Sequence, residues 1–140
     1  MLRPALSALL YFSLIFSAAA FAAEDAAEAE EEKEPLRYYQ ISPNIMTFYQ
    51  NTGRKMGYIV VQVQVVVRGD ENLEIVETHL PLMQDTLIDF FNSQDKDTVK
   101  DLTQRETLRT QATERIATVL KDEVGKDVVE NVLFTQYVFQ

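Results

Sequence analysis

The strongest pattern in the chain is a period-two alternation in "YIVVQVQVVVR". Ile59, Val61, Val63, Val65 and Val67 fall on one side, and Val60, Gln62, Gln64, Val66 and Arg68 on the other. One fully apolar side and one mixed side predict a half-buried strand covered on a single face. Upstream, "LRYYQISPNIMTFYQ" alternates more weakly and contains Pro43. It fits either an edge strand or two short strands split at the proline. "NTGRK" between the two stretches supplies turn chemistry, with Gly53 free to take positive φ.

After "RGDEN" the period becomes helical. Leu73, Val76 and Leu80 form a short stripe that Pro81 interrupts. A second helix is expected to start there, with Thr78 or His79 near its cap and Pro81 in its first turn, where a missing N–H costs little. Its apolar positions are Leu80, Met83, Leu87, Ile88 and Phe91, opposite Gln84, Asp85 and Asp89. "NSQDKDTVKDL" reads as a loop, and Thr103 to Glu106 as a capping box. The helix that follows runs to about Val124, with Leu108, Ala112, Ile116, Val119 and Leu120 on one stripe, Arg105, Arg109 and Arg115 off it, and Gly125 as the stop.

"DVVENVLFTQYVFQ" returns to β periodicity. Leu133, Tyr137 and Phe139 would bury against one face, or their neighbours Val132, Phe134 and Val138 would, and alternation leaves both assignments open. Amphipathic helices need a sheet face to cover. The predicted class is therefore α+β, a small antiparallel or mixed sheet with helices packed on one face.

The N-terminal stretch "MLRPALSALLYFSLIFSAAAFAAED" has Arg3 as its only charge before the acidic run, and carries no charge from Ala5 to Ala23. A basic start, an apolar centre and an alanine-rich end fit a signal peptide cut near Ala22/Ala23, or an uncleaved membrane anchor of about 20 residues. Either expectation puts the rest of the chain outside the cytoplasm. The organisation predicted is residues 1–23 as signal or anchor, 24–35 as an acidic linker and 36–140 as the folded domain.

Charge sharpens the picture. The chain carries 13 Lys+Arg against 22 Asp+Glu, a net −9, which argues against nucleic acid as a partner. Glu24 to Glu34 holds much of the excess in "EDAAEAEEEKE", a solvated spacer by composition. With no cysteine there is no disulfide framework, Zn–Cys site or thiol nucleophile.

Candidate chemistry is sparse. His79 is the single histidine and has no second ligand at metal-binding spacing. Asp85 and Asp89 lie one helical turn apart, a geometry open to a cation or an acid/base pair, but the amphipathic pattern puts them on a solvated helix face. Asp95, Asp97 and Glu106 occupy the first, third and twelfth positions of a calcium-loop template. Val99 stands at the fifth position, however, and Lys100 where the turn glycine belongs, so the site is rejected. Glycine loops that cradle phosphate and serine-nucleophile motifs are missing from a chain with Gly 4. No catalytic, cofactor or metal residue is assigned, and neither an enzyme nor a small-molecule substrate is expected.

Taken together, the tyrosine-led strand before "NTG", the strand "YIVVQVQVVV", the helices in "HLPLMQDTLIDFFNSQ" and "DLTQRETLRTQATERIATVL", and the ending "VVENVLFTQYVFQ" resemble the periplasmic domain of the FliL family. The resemblance runs from Tyr39 to Gln140. It departs from the family at "QRETLRT", where relatives usually carry a glycine near "RE". What it implies is a stomatin-like (SPFH-type) fold and a non-catalytic protein of the bacterial flagellar basal body, involved in motility and chemotaxis. It further implies copies that assemble in the periplasm, at the inner membrane, around the ion-driven stator units. Self-association and stator proteins are the expected partners, with membrane contact through residues 1–23 if these are uncleaved. An exported binding or adaptor module unrelated to motility is the competing expectation.

Overall fold

A computed structural model describes residues 33–140. The expected signal or anchor over 1–23, and the acidic tract as far as Glu32, lie outside the described residues. The element order is β1 (Leu36–Gln40), β2 (Ile45–Tyr49), β3 (Gly57–Arg68), α1 (Asp70–Thr78), α2 (Leu80–Asn92), α3 (Lys96–Lys100), α4 (Arg105–Val124) and β4 (Val129–Phe139). The class is α+β, with one small antiparallel sheet and helices.

β3 is the central strand. β4 pairs with it from Ile59 to Val67, which leaves the opposite edge for β1 at Gln64–Arg68 and β2 at Gly57–Val61. Of the two readings of "LRYYQISPNIMTFYQ", the split pair is the one observed, because Pro43 has no N–H to give to the ladder. Ile41 bridges the gap, its N–H donating to the Val63 carbonyl at 2.9 Å.

The predicted apolar side of β3 is the core. Ile59, Val61, Val63, Val65 and Val67 are fully buried, packed with Val76, Met83, Leu87, Phe91, Leu108, Ala112, Ile116 and Leu120 from the helices. Thr47, also buried, donates its hydroxyl to Asn92 Oδ1 at 2.8 Å and so keeps its hydrogen bond.

β4 resolves the open choice of faces by using both. Gln136 sits opposite Gln62 and Phe134 opposite Val63, so Thr135 is the extra residue of a β-bulge. The bulge shifts the phase of alternation. Val132 and Phe134 before it, and Tyr137 and Phe139 after it, all stand opposite the buried residues of β3. Neither of the two single-face groupings read from the alternation holds, because each assumed one unbroken period.

Positive φ falls on Gly69 and Gly125, and Gly53 does not use its freedom to take it. The β2–β3 turn is instead held by Asn51, whose side chain accepts from Gly53 N–H at 3.0 Å and donates to the Lys55 carbonyl at 2.8 Å. "NSQDKDTVKDL" is not all loop, since Asp95 caps α3 by accepting from Thr98 N–H and Val99 anchors that helix in the core. The capping box does not form. Thr103 bonds Asp101, which caps a short 3-10 turn at Leu102–Gln104, and Glu106 pairs with Arg109. Phe90, absent from the predicted stripe of α2, is buried with Phe91. Pro81 in the first turn of α2 and the left-handed stop of α4 at Gly125 are as expected.

Candidate interaction surface

The residues weighed for chemistry are dispersed. His79 joins α1 to α2, its Nδ1 2.8 Å from the Ile75 carbonyl. Asp85 and Asp89 are exposed on α2. Asp95 and Asp101 are caps whose bonds to Thr98 and Thr103 hold both carboxyls below the usual range, and Glu106 is held down by Arg109. Helix α3 occupies the stretch where a calcium loop would run. Among the described residues no cluster of three or more His, Asp or Glu is placed to hold a metal ion. An open groove of about 640 Å³ lies between α2 and α4. It is lined by Gln94, Gln111, Glu114, Arg115 and Thr118 beside Phe90 and Val119.

Two surfaces are better defined. The first is the outer edge of β4, which α4 covers with side chains. Val132 N–H donates to Thr113 Oγ1 at 3.1 Å, and Arg109 Nη1 donates to the Val132 carbonyl at 3.1 Å and also to Asn131 Oδ1. Arg105 reaches the Phe134 carbonyl and lies 5.2 Å from the centre of the Tyr137 ring. These contacts satisfy main-chain groups that an edge strand otherwise leaves open. Sequence reading set Arg105 and Arg109 off the buried stripe but had no means of finding this role. The only signal is their spacing of one helical turn.

The second surface is the sheet face turned away from the helices. The register sets Leu36, Tyr38 and Val66 together at one end. Met46, Phe48, Tyr58, Val60 and Val138 gather at the other. Gln40, Gln62, Gln64 and Gln136 lie between them. Several of the apolar residues are exposed, Met46 at 66%, Tyr38 at 58% and Phe48 at 52%. Arg68 is the one charged residue that the pairing puts on this face, and it is neutralised by Glu130 at 3.2 Å. Aromatic and Met residues without charge are the composition of an interface core rather than of a solvated face. Sequence reading identified the mixed side of β3 but could not tell that β1, β2 and β4 extend it.

Among the described residues no helix is long and apolar enough to cross a membrane. The family described as flagellar basal body-associated protein FliL matches residues 38–140, well over half of the chain. Comparison with curated proteins finds no match.

Proposed function

The chain belongs to the FliL family of flagellar basal body-associated proteins, and we propose that it acts there as a structural, non-enzymatic component. In this reading residues 1–23 export or anchor the chain, 24–35 form a spacer, and 36–140 form a stomatin-like (SPFH-type) domain in the periplasm. Copies assemble around the stator units at the inner membrane and support torque, and so motility and chemotaxis. The observation that carries the reading is the extent of the match, which spans all four strands and all four helices apart from the first residues of β1. The uncharged, aromatic sheet face supports it, since an assembling protein needs a surface depleted of charge at its centre.

The test is deletion of the gene in its native host. Swimming and swarming are expected to fall, most at high viscosity, while filaments still form. Normal motility on soft agar at low and high viscosity overturns the reading. Loss of filaments would instead place the protein in assembly of the flagellum.

A further inference from the structure

We propose that the outer edge of β1 takes an extended segment of another protein as an additional antiparallel strand, a segment apolar at alternate positions and followed by basic residues. This is independent of the flagellar reading, which the gene deletion tests.

The hydrogen-bond phase of β1 is fixed at both ends. The Gly69 N–H donates to the Pro35 carbonyl at 3.0 Å, and the Ile41 N–H to the Val63 carbonyl at 2.9 Å. Bonded residues alternate along an antiparallel pair. Pro35, Arg37, Tyr39 and Ile41 therefore direct their main-chain groups at β3, and Leu36, Tyr38 and Gln40 direct theirs outward. Among the described residues nothing bonds to those outward groups. The opposite edge of the sheet differs, since Arg105, Arg109 and Thr113 close β4. Further along, the β1–β2 edge already takes a second segment. Gln50 donates to the Gln94 carbonyl at 2.8 Å and accepts from Lys96 N–H at 3.0 Å, which makes a bridge to Asp95. Donors and acceptors that recur at alternate residues, about 7 Å apart, match an extended main chain.

Side chains set the pattern of the occupant. One face of an added strand lies beside Leu36 and Tyr38, both exposed. The other lies beside Tyr39 and the Arg37–Asp70 pair at 2.6 Å. Apolar or aromatic residues suit the first and polar residues the second. Charge sets the flank. Seven acidic residues and Lys33 lie between Glu24 and Glu34, immediately before β1. An antiparallel partner runs toward that tract with its C-terminal end, where lysine or arginine is complementary. A second copy would bring a second tract of the same sign, so charge disfavours it as the occupant.

The probe is a fluorescent synthetic peptide of alternating threonine and valine that ends in a run of lysines. It is titrated into the full chain in mild detergent and followed by anisotropy. It is expected to bind at least about 10-fold more tightly than the same peptide N-methylated along the edge that faces β1, and than one ending in glutamates. Tyr38→Pro removes an outward N–H and keeps the ladder to β3. It is expected to weaken binding at least about 10-fold more than Tyr38→Ala does. Hydrogen exchange of the unmodified chain requires no variant. The amides of Leu36, Tyr38 and Gln40 should exchange readily alone and become protected with the peptide, while those of Arg37, Tyr39 and Ile41 are protected throughout. Absence of binding, equal affinity for the N-methylated or glutamate peptide, equal loss in the two Tyr38 variants, or protection at another surface overturns the proposal. So does protection of the three amides without peptide that grows with protein concentration, which would give the edge to a second copy.

Discussion

The Tyr137 hydroxyl donates to the Val99 carbonyl at 2.8 Å, tying the last strand to the short helix α3. Burial pushes this phenol up to about 12, with Arg105 acting in the opposite direction. The protonated form is favoured in the fold, so its stabilisation is complete below about pH 10, where an unfolded tyrosine ionises. It is lost as pH rises from about 10 to 12. Tyr137→Phe removes the bond and is expected to cost about 1 kcal/mol at neutral pH. The difference from the unmodified protein should disappear or change sign between pH 10 and 12. Urea melts at pH 8 and pH 11.5 measure it, and a pH-independent difference would sink the assignment.

Removal of residues 137–140 is expected to unfold the domain rather than trim it. Phe139 and Tyr137 pack on the core, and the Tyr49 hydroxyl donates to the main-chain oxygen of Gln140 at 2.5 Å. Losing two core aromatics costs more than about 5 kcal/mol, comparable with the whole stability of a small domain. A truncated chain that melts cooperatively near the full-length temperature would show the strand to be peripheral.

Deletion of Thr135 should be tolerated. It stands in the bulge, and without it Phe134 and Gln136 still face Val63 and Gln62, with Tyr137 and Phe139 still on the core side. Deleting Val61 from β3 instead sends one half of the central strand to the wrong face. Circular dichroism should show a folded protein for the first and an unfolded one for the second. The opposite ranking would contradict the register.

Gly57→Ala tests a close approach. A Cβ at that position would stand 2.1 Å from the Tyr49 ring. The ring must move, with loss of its bond to Gln140, at a cost of about 1–3 kcal/mol. Thermal melting of this variant beside Tyr49→Phe would show whether the packing or the hydrogen bond carries the effect.

Arg109→Met should cost about 1.5–3 kcal/mol, because it leaves the Val132 carbonyl and Asn131 without their charged donor. Glu106→Gln, which removes only the exposed half of the ion pair, should cost clearly less. Equal losses for the two would mean that the pair, and not the clamp on β4, matters.

The amino-acid sequence by itself determined the α+β class, the buried side of β3, the Pro81 break between α1 and α2, the stop at Gly125 and the family. These follow from periodicity and from backbone limits that act within a few residues. The bulge at Thr135, the capping by Asp95 and Asp101, the Arg109 clamp and the breadth of the uncharged face were decided only by the tertiary structure. Alternation in one strand says which residues share a side, but a bulge is set by the strand it must match. Thr103 and Glu106 were available for a capping box, yet Asp101 and Arg109 compete for them and prevail. Tyr38, Phe48 and Val138 are far apart in the chain, and only the pairing of three strands with β3 brings them onto one face.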